Sequence, residues 1–354
     1  MEAYRSVSVV ARLAILACIT LIACNGSSDK PAEQASETTG TAGVTAADTS
    51  GAKVIAIEDA HLDSLRLRYE QGDVYRYRVT QLSEGGSDSV VATTKTKHVY
   101  TKRIKAIRSD GSYEVGMRFD SIQVKATVRS RQTGKVLEEQ EYRSSDTAMR
   151  KDVKYISFNA LLGEEITILT NTRGQIQEMS GVSSVVNRIL AASPNVPKEY
   201  AAELSKQIEM SVYATFTEQE YLRFPTTKLD STNSWVTSTS APVMNLFMAS
   251  NTVKYHVAAV KMVKDRKLAD IEATMNGTIT LQKLPADAPM KVSLSKSVVK
   301  GSGRAIIDVA KGFTVFKQND VYTIVAANVR IVATGEQRNV SQETTMRYSV
   351  ELLR

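Results

Sequence analysis

Two thiols and three imidazoles are the most reactive side chains in this chain: Cys18, Cys24, His61, His98 and His256. A cysteine thiolate is both a nucleophile and a metal ligand. Cys18 lies inside an uncharged apolar run, Leu13 to Ala23, and Cys24 follows that run directly after Leu21-Ile22-Ala23. None of the histidines has a second ligand at a metal-binding spacing such as i+4 on a helix, and His98 and His256 read as exposed strand residues. Glu138-Glu139-Gln140-Glu141 and Glu164-Glu165 supply carboxylates. Paired carboxylates can hydrolyse glycosides, but neighbours on a strand point to opposite faces, so these read as solvated charges. Gly301-Ser302-Gly303 is followed by no helix with a lysine at phosphate-loop spacing, and no Gly-x-Ser-x-Gly elbow is present. The expectation is a non-enzymatic protein with no catalytic, metal or cofactor site. A hydrolase with an unfamiliar site is the enzymatic alternative.

The one reactive group with a recognisable setting is Cys24. Arg5 and Arg12 precede the apolar run, which is shorter than the ~20 residues needed to span a bilayer and suits the core of an export signal. The string Leu21-Ile22-Ala23-Cys24 resembles the lipobox of bacterial lipoproteins. That resemblance implies cleavage between Ala23 and Cys24 and a diacylglycerol on the Cys24 sulfur. It implies a membrane as partner, held through palmitate-type chains that each contribute about 0.8 kcal/mol per buried CH₂. Asn25 in place of Asp leans towards the outer membrane, facing the periplasm. An ordinary secretory signal with a chance cysteine is the competing reading.

With Cys18 discarded and Cys24 acylated, the mature domain has no disulfide and is held by core packing alone. The formal net charge is +7. The export segment carries Glu2 against Arg5 and Arg12, and residues 25–50 carry Lys30 against four acids, so the excess of basic groups lies in the folded part. An exported chain does not meet nucleic acid, so anionic lipid or acidic glycan is the electrostatic partner to weigh against a simply solvated basic surface.

The elements divide the chain into a signal (1–23), a Cys24-bearing tether rich in Ser, Thr, Ala and Gly (24–52), and one domain (53–354). Tyr75, Tyr77 and Val79 alternate with polar residues, as do Tyr113, Val115, Met117 and Phe119, and later Met346, Tyr348, Val350 and Leu352. This period of two predicts strands with one buried and one wet face. Gln71-Gly72-Asp73 and Ser109-Asp110-Gly111 are turn signals. After Phe119 the apolar phase slips to Ile122, Val124, Ala126 and Val128, which predicts a bulge or bend at Asp120-Ser121 before a further strand. A helical insert is expected at 181–223. In it Val182, Val185, Val186, Ile189 and Leu190 share one face. After Pro197, Tyr200, Leu204, Ile208 and Val212 form a stripe, and Thr217 with Glu220 has the spacing of a capping box. Two pseudo-repeats, 65–180 and 226–354, are suggested by matching Val99–Ile107 to Val253–Val260.

Tyr69-Glu70-Gln71-Gly72-Asp73-Val74-Tyr75-Arg76-Tyr77 resembles the opening of a family of uncharacterised bacterial envelope lipoproteins, built on a domain of unknown function. Phe224-Pro225 followed by Asp230 to Trp235, and Gly301-Ser302-Gly303 with Asp308 and Gly312, continue the resemblance. The family's glycine ahead of the tryptophan is replaced by Ser231-Thr232-Asn233-Ser234, which leaves that turn open. The resemblance implies architecture and location, not chemistry. A more distant likeness of shape is to LolA-like lipoprotein- and lipid-carrier half-barrels.

The expected fold is therefore α+β, mainly antiparallel β: a curled sheet or half-barrel, duplicated, with a helical insert. Trp235 either anchors the insert to the sheet or lines a cleft. Around Val321–Ile331 both strand faces are apolar, so Tyr322, Ile324 and Ala326 either form a hydrophobic groove or lie under the helices. The function expected is binding of a lipid or other amphiphilic ligand at the cell envelope. The alternative is a scaffold that contacts another envelope protein or the cell wall.

Overall fold

The computed structural model describes residues 52–57, 62, 65–87, 89–192, 200–213, 220–225, 229–243, 247–281 and 290–353. The export segment, Ala23, Cys24 and the tether up to residue 51 lie outside the described residues, as do His61, Pro197 and Thr217.

The alternating segments become strands: β1 (Lys53–Ile55), β2 (Val74–Gly86), β3 (Val90–Ile107), β4 (Tyr113–Ser130), β5 (Val136–Arg143), β6 (Glu165–Thr170) and β7 (Ile176–Ser180). After the helical insert come β8 (Ser234–Val243), β9 (Phe247–Val263), β10 (Arg266–Leu281), β11 (Met290–Asp308), β12 (Thr314–Ile331) and β13 (Gln337–Leu352). All join one sheet of order β1-β9-β10-β11-β12-β13-β2-β3-β4-β6-β7, with β8 also on β9 and β5 also on β4. Every pairing between these strands is antiparallel, so the chain is mainly antiparallel β as its alternation predicts. The C-terminal strand β13 lies beside the first long strand β2, joining Tyr348 to Gln81 and Leu352 to Tyr77.

The phase slip after Phe119 is a bulge. Tyr100 pairs with Phe119 and Val99 with Ser121, leaving Asp120 as the extra residue. The strand does not break there, however. Ile122–Val128 is the second half of β4, not a separate strand, and Ile279–Leu281 is likewise the end of β10. A bulge shifts the face of every later side chain while preserving the ladder, which is why the pattern mimics a new strand.

The matching of β3 with β9 is less close than a match that the strand bounds display. At one constant offset, β3 and β4 fall on β11 and β12, Gly111 falls on Gly312, and Gly134 on Gly335. The tips are bonded alike: Gly134 N donates to Ser130 O, and Gly335 N to Ile331 O, each at 2.9 Å.

Four α-helices are described, α1 (Thr147–Lys151), α2 (Ile156–Leu161), α3 (Val182–Ala192) and α4 (Ala201–Tyr213), with a 3₁₀ turn at Val153–Tyr155 between the first two. Helix α3 buries Val182, Val185, Val186 and Ile189, the face that the spacing predicts. In α4 Leu204, Ile208 and Val212 are buried, but Tyr200 precedes the helix and is half exposed. Helices α1 and α2 have no long apolar period, and their sequence was too short to reveal them. They form because Asp146 caps α1, accepting from Ala148 N and Met149 N. Ring packing of Tyr142 on Tyr155 and Phe158 holds the pair to β5.

Candidate functional site

On β2 and β3 the inward positions are Tyr75, Tyr77 and Val79, and Tyr100, Lys102 and Ile104; the register sets Tyr77 opposite Tyr100 and Tyr75 opposite Lys102. Lys102 is fully buried on this face. A buried ammonium needs a partner, and a connector supplies it. Residues 220–225, between α4 and β8, lay Glu220, Tyr221, Leu222 and Phe224 into the core. The Lys102 Nζ donates to Glu220 Oε1, and neither side chain is exposed.

The remaining groups close around this pair. Tyr100 Oη donates to Glu220 Oε2 at 2.6 Å, and Lys102 Nζ donates to Tyr69 Oη at 2.9 Å. The Tyr69 and Tyr221 hydroxyls meet at 2.8 Å. The ammonium also lies within the roughly 6 Å reach of a cation–π contact, 4.9 Å from the Tyr69 ring centroid, 5.1 Å from Tyr77 and 5.0 Å from Tyr221. The strap's backbone is held as well: Thr314 Oγ1 donates to Glu220 O at 2.5 Å, Lys317 Nζ to Tyr221 O at 2.9 Å, and Trp235 Nε1 to Arg223 O at 2.9 Å.

Burial lowers the Lys102 pKa, and the Glu220 carboxylate opposes that shift. Burial and the same carboxylate push the phenols of Tyr69, Tyr77, Tyr100 and Tyr221 well above the usual tyrosine range. These hydroxyls therefore stay protonated and act as hydrogen-bond donors and acceptors. With the ammonium and carboxylate both sealed from solvent, the cluster grips the protein's own connector.

Close contacts between neighbouring strands continue along the inner face beyond this cluster. A Cβ on Gly303 would lie 1.8 Å from Asn319 Oδ1, and one on Gly277 would lie 2.1 Å from Asn251 Oδ1. The glycines therefore make room for amides on neighbouring strands. Thr96 Oγ1, His98 Nε2, Asn251 Oδ1 and Thr323 Oγ1 are buried there without hydrogen-bond partners. His98 is not the exposed strand histidine that the sequence suggested. It packs edge-on against Phe119, and desolvation lowers its pKa to about 4. His256 is exposed, with Nδ1 3.0 Å from Thr232 O.

Tyr322, Ile324 and Ala326 share the opposite, outer face of β12 and are half-buried, while Val321, Thr323, Val325 and Ala327 on the inner face are buried. Trp235 takes the anchoring role, stacked on Tyr255 at 4.9 Å. Glu220 does not act as a helix cap; its carboxylate is committed to Lys102 and Tyr100. The centre of the site, Lys102, was missed in the sequence because it sits among Lys97, Arg103 and Lys105. The available signal was parity: Lys102 falls in step with Tyr100 and Ile104, while Arg103 and Lys105 do not. Among the described residues no group of three His, Cys, Asp or Glu side chains is disposed to hold a metal.

Fold and site together define a single-sheet antiparallel β protein whose own connector is locked into its core. The chain belongs to the Family of unknown function (DUF6263), whose model matches residues 110–314. No curated protein matches it. Among solved structures it is similar to one of lipid-protein interactions in lipovitellin, with a TM-score of 0.44, 10% identity and 80% of this chain covered. It spans 25% of that lipovitellin chain. It is also similar to the COG4313 outer membrane channel from Pseudomonas putida F1, with a TM-score of 0.21, 6% identity, and 81% and 97% of the two chains covered. A third is the transport unit of the autotransporter AIDA-I from Escherichia coli, with a TM-score of 0.24, 6% identity, and 80% and 91% covered.

Proposed function

We propose that this chain is a non-enzymatic lipoprotein of the bacterial cell envelope, anchored by lipid on Cys24, whose domain is a rigid platform for contacts made on its outside. The observation that carries the platform reading is the strap. Glu220–Pro225 lies against the inner face and is bonded to β3, β8 and β12, so the protein's own side chains occupy the space over Tyr77, Tyr100 and Lys102. The anchor rests on Leu21-Ile22-Ala23-Cys24 and the apolar run before it. Outer-membrane attachment facing the periplasm rests on Asn25 alone.

The same reading includes a sheet curled into a half-barrel. Its support is the segment before β2: Leu67 N donates to Thr172 O at 2.8 Å, and Arg68 N donates to Lys311 O at 2.9 Å. Those carbonyls sit in the β6–β7 and β11–β12 turns, with β13, β2, β3 and β4 between β12 and β6. Across a flat sheet, five strand spacings would separate β12 from β6 by about 24 Å. Two adjacent amides can reach carbonyls no more than about 10 Å apart. Duplication belongs to this reading as well, with β3–β4 matched to β11–β12 as the shared turn glycines indicate.

An amphiphile-binding reading keeps one supporting observation, the half-exposed outer row Tyr322, Ile324 and Ala326. Three measurements test these statements. Labelled palmitate enters the wild type and not Cys24→Ser; incorporation into the variant removes the anchor. Native mass spectrometry of the purified protein shows the bare chain mass; a co-purified lipid retained after detergent exchange favours the amphiphile reading. Photo-crosslinking from Leu137 in cells captures an envelope component, and absence of any adduct from exposed positions counts against a platform.

A further inference from the structure

Twelve large apolar side chains are exposed among the described residues, and five of them, Val136, Leu137, Met290, Val332 and Val340, lie at one end of the sheet. That end is formed by the β4–β5 and β12–β13 tips and the start of β11. The same end carries exposed Arg129, Arg131, Lys135, Lys291, Arg330 and Arg338. Against these stand three exposed carboxylates: Glu336, which pairs with Arg338 at 2.7 Å, Glu139, which pairs with Lys125 at 3.0 Å, and Glu138. Arg131 also donates to Ser87 O at 2.7 Å, which fixes the β4–β5 tip on the β2–β3 turn.

We infer that the β4–β5 and β12–β13 tips are a second membrane contact, docking on the headgroup region of an anionic phospholipid bilayer. This deepens the platform reading and rests on it. Cations interleaved with exposed apolar side chains suit that interface: the cations draw the tip to anionic headgroups, and the apolar residues enter the acyl boundary. An acidic glycan would satisfy the cations and leave Leu137 at 57% and Val332 at 54% exposure still in water. The pattern also occurs twice, on two separate projections with the same Thr-Gly turn, Thr133-Gly134 and Thr334-Gly335. A broad planar surface can take both tips at once, whereas a compact protein would need a shaped pocket for each. β1 enters beside the β9–β10 turn, at the end opposite the tips, so this contact is separate from the Cys24 anchor.

The mature-length chain, residues 24–354 with Cys24→Ser, lacks both the acyl chains and the apolar export segment; it is mixed with vesicles of phosphatidylcholine alone or with 30% phosphatidylglycerol, and sedimented. The expected result is at least tenfold stronger partitioning to the anionic vesicles, lost on raising the salt. L137E/V332E and K135E/K291E/R330E each reduce it at least tenfold, while their urea midpoints stay at the parental value. Equal partitioning to both vesicles, or anionic binding unaffected by either set of changes, overturns the inference. If vesicles fail to bind while Leu137 crosslinks an envelope protein, the platform reading stands and the bilayer contact is wrong.

Discussion

Lys102 and Glu220 lie 118 residues apart in sequence and form an ion pair in which neither side chain reaches solvent. The contact fastens the connector between α4 and β8 to the third strand of the sheet. Removing one member leaves a buried charge without its counterion, which costs about 3–5 kcal/mol. Lys102→Met and Glu220→Leu are each expected to lose about that much in urea unfolding. Lys102→Met with Glu220→Leu removes both charges together and is expected to lie closer to the wild type than either single variant. Additive losses in the double variant would mean that the pair does not act as a unit.

Tyr100 and Thr314 both hold the strap at Glu220. Tyr100→Phe removes a hydrogen bond to a carboxylate and should cost about 1.5–3 kcal/mol, whereas Thr314→Val, which keeps the side-chain shape, removes a neutral bond to Glu220 O worth about 0.5–1.5 kcal/mol. The ranking in chemical denaturation is the measurement, and equal losses would argue against a specially strong contact at Tyr100.

His98 makes stability sensitive to acid. Its folded pKa of about 4 lies below the ordinary histidine value because burial disfavours the imidazolium. The unfolded chain therefore binds the proton more readily, so stability falls as the pH drops below about 6.5 and levels off once it passes about 4. The loss across that window is at most about 3 kcal/mol. His98→Phe should flatten this part of the stability–pH profile, and an unchanged profile would assign the acid response to other groups.

Gly312 and Gly335 occupy corresponding turns at φ +75° and +70°. A Cβ on Gly335 meets nothing within 4 Å, whereas one on Gly312 would lie 1.9 Å from Arg66 O. Gly335→Ala should cost only the left-handed backbone strain, about 1–2 kcal/mol. Gly312→Ala should cost a further 1–3 kcal/mol from the clash, because it dislodges the segment that bridges two turns. Equal thermal shifts would show that the segment is not docked tightly.

Much of the sheet is legible from local pattern alone. Period-two alternation, turn glycines and the slip at Asp120 depend only on which face each side chain takes, and a strand reports that within a few residues. The apolar face of α3 is legible for the same reason. The setting of Cys24 is likewise a matter of adjacent residues, and it stays a reading of sequence because that segment lies outside the described residues.

What tertiary structure decided is which faces meet. The sequence determined that Lys102 shares parity with Tyr100 and Ile104, but not that a glutamate 118 positions later would be brought against it. It determined that β12 is apolar on both sides, but not that Val321 and Val325 would be sealed while Tyr322 and Ile324 remain half open. Alternation is a property of neighbouring residues. Burial of a charge depends on a partner delivered through a long connector, and no local period carries that information.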